Sequence, residues 1–170
     1  MILVPYDGSA DAQAAITRAG LLAPGAQTTV LTVWAPFIDS LSGTGAGVGL
    51  GLTDAYAFAE PDAIDAASRE AALATATEGA QRAVDARLAA TPLCESRDRD
   101  VASTILGVAA DLDADLIVMG TRGLGGVMAF MLGSVSHAVV RHADRAVLLV
   151  PSSELLQERR HGIHRHVAPA

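Results

Sequence analysis

Residues 120–136 read GTRGLGGVMAFMLGSVS, and the reading of this stretch decides the fold. It begins where the apolar run Asp115-Leu-Ile-Val-Met119 stops at a glycine. It ends where Gly133-Ser134 opens a helical pattern from Val135 to His142. The pattern is a strand, a glycine-punctuated loop, and a helix whose N-terminus faces that loop. Glycine takes positive φ and lets backbone approach a ligand closely. The free N–H groups and dipole of a helix start favour an anion. Ser134 and Ser136 add hydroxyl donors, and Arg122 adds a fork of N–H donors suited to phosphate. The most economical ligand is a phosphate chain, which makes the stretch a candidate nucleotide site. Glycine also ends strands and caps helices, so a merely structural loop is the other reading of the same residues.

The chain contains no lysine, which excludes a P-loop of the GxxxxGK[ST] kind. No GxGxxG follows the first strand, so the dinucleotide fingerprint is missing too. The spacing Gly120, two residues, Gly123, nine residues, Gly133-Ser134 resembles the G-2x-G-9x-G-[S/T] signature of the universal stress protein family, in its ATP-binding branch. Asp115 to Arg122 and Ser134-Val-Ser136-His137 are also similar to that family, and the strand and helix pattern of residues 1–151 agrees with it.

Composition sets the frame. The 170 residues suit one domain with a sizeable core, and the half-hydrophobic, aromatic-poor make-up fits helices packed on a parallel sheet. A net charge of −7 argues against nucleic-acid binding, which needs a basic footprint. The single Cys94 excludes an intrachain disulfide framework and suits a reducing compartment; it reads as a packed small hydrophobe. A strand-like run begins at residue 2 with no signal segment before it, and no apolar stretch reaches the ~20 residues of a spanning helix. The expectation is a cytoplasmic protein with no membrane partner.

Taken in order, Met1 to Pro5 is an apolar run without alternation, as for a strand covered on both faces. Ser9 or Asp11 caps a helix to about Leu22, which Pro24-Gly25 ends. Thr28 to Trp34 is a β-branched second strand, and strand, helix and strand in this order imply a right-handed parallel crossover. Asp7 sits at the carboxyl end of the first strand, where open α/β sheets bind ligands. On residue type alone, an Asx turn with Ser9 is the plainer reading.

Residues 36–60 carry alternating Gly43, Gly45, Gly47, Gly49 and Gly51; they read either as a lid or docking arm beside the site or as a tolerated flexible insertion. Pro61 suits a first helical turn, and Asp62 to about Ala90 is a long alanine-rich helix with Leu73, Ala80, Val84 and Leu88 as its apolar stripe. Pro92 to Arg99 is a polar strand suited to a sheet edge. Asp100 or Ser103 caps a helix to about Leu112, Ala114 to Met119 is the fourth strand, and residues 146–151 are the fifth. Residues 152–170 form a charged tail in which His161, His164 and His166 lack companions for a metal site, so no metal is assigned.

Five strands alternating with four helices make a doubly wound, Rossmann-like α/β sheet in a single domain. The resemblance implies the adenine-nucleotide α-hydrolase-like strand order 3-2-1-4-5, with Asp7 and Gly120 on the two lips of one crevice. It implies ATP as ligand, with AMP or cyclic AMP as alternatives and Mg²⁺ bridging phosphates. Asp7, beside Pro5 and Tyr6, and the Val33 backbone would hold the nucleoside, while Met119 and Gly120 shape the floor. Arg122, Gly123, Gly133, Ser134, Val135 and Ser136 would cradle the phosphates. It also implies a homodimer through the apolar edge strand 146–151. His137 beside Ser134 and Ser136 makes no triad, and no lysine or arranged base supports rapid phosphoryl transfer. The function expected is a binding switch rather than an enzyme. A weak ATPase or nucleotidyl transferase and a ligand-free docking module stand as the alternatives.

Overall fold

In the computed structural model, which describes residues 1–37, 61–124 and 132–152, the strands are β1 (Ile2–Pro5), β2 (Gln27–Trp34), β3 (Ala89–Ser96), β4 (Leu116–Gly120) and β5 (Ala146–Val150). Between them lie the helices α1 (Ala10–Leu22), α2 (Pro61–Asp85), α3 (Val101–Asp111) and α4 (Ser134–His142). All pairings are parallel, and the order across the sheet is β3-β2-β1-β4-β5. Residues 38–60 of the glycine arm expected over 36–60, and residues 153–170 of the tail expected over 152–170, lie outside the described residues.

Strand alternation divides the core in two. Ile2, Val4 and Tyr6 point to one face, where Ile16 and Ala19 of α1 and Ala80 and Ala83 of α2 cover them. Leu3 points to the other, where it meets Ile105 and Ala109 of α3 and Val139 of α4. Burial on both faces is why the strands read as unbroken apolar runs. Among the described residues, no helix is long and apolar enough to cross a membrane.

The caps follow local chemistry. Ser9 Oγ accepts the Ala12 N–H at 3.2 Å to start α1, and Asp100 Oδ1 accepts the Ser103 N–H at 2.9 Å to start α3. Three expectations are corrected in the second βα unit. Helix α2 stops at Asp85 rather than near Ala90, because Arg87 turns left-handed at φ 69° and Leu88 N–H folds back onto the Ala83 carbonyl. Strand β3 therefore starts early and ends at Ser96. Of the expected stripe, Ala80 lies on the buried face of α2 and Leu88 is buried just beyond the helix end, but the large residues within the helix do not face the core. Leu73 and Val84 are 46% and 48% exposed, while Ala72, Ala76, Gly79, Ala80 and Ala83 are buried. Small side chains let this helix lie close to Tyr6 and Val30, whose atoms come within 3 Å of where a Cβ on Gly79 would sit.

Candidate functional site

The centre of the sheet opens at its carboxyl end because β1 and β4 part company early. Their register pairs Ile2 with Leu116 and Leu3 with Ile117 and goes no further, whereas β1 stays paired with β2 as far as Pro5 and Leu31. Tyr6 N–H donates to Leu31 O at 2.8 Å, so by alternation Pro5 faces β4, and proline has no N–H to extend that ladder. The same alternation turns the backbone of Val33 towards β1, but beyond its end, where no strand meets it.

The resulting cavity has a volume of about 370 Å³. It is lined by every residue expected at the nucleotide site: Pro5, Tyr6, Asp7 and Val33 on one side, Met119, Gly120, Arg122 and Gly123 on the other, and Gly133, Ser134, Val135 and Ser136 across the end. Leu31, Val101 and Ile105 complete an apolar wall that the sequence reading passed over, since residues of strand β2 and helix α3 carry no motif.

At the start of α4, Gly133 is the extended N-cap residue and gives no side-chain cap. Helix geometry leaves the N–H groups of Ser134, Val135 and Ser136 without intrahelical acceptors; the first helical bond is His137 N–H to Gly133 O at 2.8 Å. These donors stand at the positive end of the helix dipole, the arrangement that favours an anion. Ser136 is buried, and its hydroxyl donates to Gly120 O at 2.9 Å, so its single O–H proton ties the helix to β4 and only its N–H remains for a ligand. His137 is exposed.

Asp7 makes the Asx turn expected of its residue type, and it also lines the crevice. Oδ1 accepts the Ser9 N–H at 3.0 Å in an Asx turn that Gly8, at φ 81°, completes. Oδ2 accepts the Leu124 N–H at 3.2 Å across the crevice, and a Cβ at Gly123 would lie 2.5 Å from that oxygen. Glycine at 123 is thus what lets the exposed aspartate close on the loop. Tyr6, 3% exposed, donates its hydroxyl to Glu78 Oε2 at 2.7 Å, and Glu78 pairs with Arg82 one turn along α2. Burial, followed by the hydrogen bond and charge of Glu78, pushes the Tyr6 hydroxyl up to about 12.

Sequence reasoning offered Asp11 only as an alternative cap. The structure places it beneath the site, 5% exposed, with Oδ2 accepting from Thr121 Oγ1 at 2.5 Å and from Arg122 N–H at 3.1 Å, and Oδ1 accepting from Ser152 N–H at 3.2 Å. Burial alone would raise this carboxyl; donation from Thr121 and Ser152 and the Arg122 charge outweigh it and hold it below the usual carboxylate range. The signal was present, since Asp11 precedes Ala15 and Ala19 by one and two turns on the buried stripe of α1. Among the described residues there is no group of three or more His, Cys, Asp or Glu able to hold a metal ion.

With this geometry in view, comparison with known proteins is direct. A family model described as "Universal stress protein family" matches residues 1–151. The chain belongs to the universal stress protein family. A universal stress protein of Thermus aquaticus is 36% identical over 151 residues, covering 88% of this chain and 96% of that protein. A putative universal stress protein of Staphylococcus saprophyticus is 51% identical over 51 residues, a match that spans 30% of each chain. Among solved structures, the universal stress protein UspA of Lactobacillus plantarum superposes with a TM-score of 0.62 at 25% identity, over 88% of this chain and 95% of that one. A universal stress protein solved in complex with cAMP shares the fold at a TM-score of 0.54 and 24% identity, over 89% and 96% of the two chains. The fold also recurs in the Archaeoglobus fulgidus protein in complex with dAMP (TM-score 0.52, 20% identity, 88% and 95% covered) and in an Arabidopsis thaliana family protein with AMP bound (TM-score 0.54, 15% identity, 89% and 91% covered).

Proposed function

We propose that this universal stress protein binds an adenine nucleotide, ATP foremost, in the cavity between β1 and β4, and that it works as a regulatory stress-response switch rather than as a catalyst. The observation that carries the reading is the cluster of N–H groups without intrahelical acceptors at the start of α4, on the wall of the crevice where β1 and β4 diverge. The adenine edge meets the backbone of Val33, the ribose lies by Asp7, and the phosphates run from Arg122 and Gly123 to the N–H groups of Ser134, Val135 and Ser136. The apolar wall of Leu31, Val101 and Ile105 suits a flat base. Family members bound to cAMP, dAMP and AMP make the adenine class the natural one. With ATP, Mg²⁺ would be carried by the phosphates, Asp7 being the one carboxylate on the cavity wall among the described residues.

A switch fits the chemistry of the residues. The Ser136 hydroxyl is committed to Gly120, and the exposed His137 has no orienting carboxylate among the described residues. The half-exposed Val147, Leu148 and Leu149 of the edge strand β5 support pairing between two copies of the chain, and Cys94 as sole thiol suits the reducing cytoplasm. The test is to denature freshly purified protein, identify any released nucleotide by mass spectrometry, and titrate the protein with ATP, ADP, AMP and cyclic AMP in a calorimeter. Copurified or tightly bound ATP supports the reading, and binding of none of the four refutes it. A monomer by light scattering at micromolar concentration refutes the β5 pairing alone.

A further inference from the structure

We propose that Asp11 is a positioning residue for phosphate binding: it grips the Arg122 guanidinium and the first peptide of the glycine loop from below, so that the Arg122 donors face the cavity. The inference rests on the nucleotide reading above and assigns the part of that site no motif marks. Three observations carry it. First, Arg122 Nε lies 4.0 Å from Asp11 Oδ2, and the guanidinium side chain is only 17% exposed, so the ion pair is shielded from water. Second, the same oxygen accepts the Arg122 backbone N–H at 3.1 Å and the Thr121 hydroxyl at 2.5 Å, which fixes both ends of Arg122 to one carboxylate. Third, the backbone that bears Asp11 lies against the end of β4. A Cβ on Gly120 would fall 2.7 Å from Asp11 Cβ and 2.9 Å from Ala12 N.

The geometry gives the carboxylate a direction of action. It meets the guanidinium at Nε, and the Nη groups make no hydrogen bond with another described residue, so their donors remain for a ligand in the cavity Arg122 lines. An arginine held this way has given up part of its rotamer freedom before phosphate arrives, and preorganisation of this kind raises affinity. The other oxygen of Asp11 holds Ser152 N–H, so the grip is anchored to the exit of β5 and not only to the loop it positions.

The test compares wild-type protein with Asp11→Asn, Arg122→Gln and the double variant, measuring Kd for adenosine and for AMP by calorimetry. Asparagine keeps the shape and removes the charge. The expected result is that Asp11→Asn leaves adenosine affinity within about twofold but cuts the AMP-over-adenosine advantage about tenfold, the size of one charge-assisted contact. Arg122→Gln loses the same advantage, and the double variant loses no more than either single one. A purely structural Asp11 would weaken adenosine and AMP together, and a mere counter-charge would make AMP bind tighter in Asp11→Asn; either result overturns the proposal. Should Asp11→Asn fail to fold, Arg122→Gln decides, since Asp11 keeps its other partners there: an unchanged AMP advantage refutes the proposal and a lost one supports it. Wild type that binds neither compound refutes the nucleotide reading and this inference with it, whereas wild type that binds both alongside unaltered variants refutes this inference alone.

Discussion

Gly79 sets two physical effects against each other. It sits inside α2, where alanine is preferred over glycine by about 1 kcal/mol on helix propensity. A methyl there would lie 2.7 Å and 2.9 Å from Cδ1 and Cγ of Tyr6 and 2.9 Å from Cγ1 of Val30. Carbon atoms in good contact stand about 3.5–4.0 Å apart, so the neighbours would have to retreat by roughly 1 Å. They have nowhere to go. Tyr6 and Val30 are 3% and 0% exposed, the Tyr6 hydroxyl is held by Glu78 at 2.7 Å, and its main chain is held by Leu31 at 2.8 Å and by Thr32 at 2.9 Å. Overpacking of this kind costs about 1–3 kcal/mol. Gly79→Ala is therefore expected to destabilise the protein by up to about 2 kcal/mol net, read as a lower urea midpoint at unchanged m. Gly107→Ala in α3 is the matched control: Gly107 is exposed and a methyl there meets nothing within 4 Å, so propensity acts alone. It should gain about 0.5–1 kcal/mol. A Gly79→Ala midpoint that rises in step with the control would refute the packing account of α2.

Gly123→Val brings a side chain to where the Asp7 carboxylate lies, 2.5 Å from its Oδ2; nucleotide affinity by calorimetry should fall at least about tenfold while stability moves by less than about 0.5 kcal/mol, as for an exposed loop. Ser9→Ala removes the acceptor of the Ala12 N–H and should lower stability by about 1 kcal/mol in the same denaturation assay. The Tyr6 hydroxyl, raised to about 12 by burial and by Glu78, supports the folded state fully below the ordinary tyrosine value near 10 and loses that support as pH climbs to about 12. The stability advantage of wild type over Tyr6→Phe should accordingly be flat at neutral pH and shrink above about pH 10, and an advantage that grows there would show the hydroxyl is not held as described.

Much of this architecture was legible because burial on both faces leaves a plain mark. The runs Met1 to Pro5 and Ala146 to Val150 lack alternation, as strands beneath helices on both sides must, and the glycine spacing of residues 120–134 put a helix start opposite β1. Two features were opaque for physical reasons. The packed face of α2 consists of alanine and glycine, so of the expected stripe Leu73 and Val84 pointed the wrong way, and the turn at Arg87 that follows the helix uses a left-handed residue that is not glycine. Asp11 was hidden because a carboxylate near a helix start has an ordinary explanation as a cap, and only the tertiary fold brings Thr121, Arg122 and Ser152 to it.

The short register between β1 and β4 bears on how the proposed switch would work. Two rungs join a three-strand leaf, β3-β2-β1, to a two-strand leaf, β4-β5, and above them the strands diverge around the cavity. A nucleotide gripped by Asp7 and Val33 on the first leaf and by α4 on the second would act as a rivet across that hinge line. The empty and filled forms would then differ less in shape than in stiffness, and a partner resting on both leaves could sense the filled state as resistance to shear.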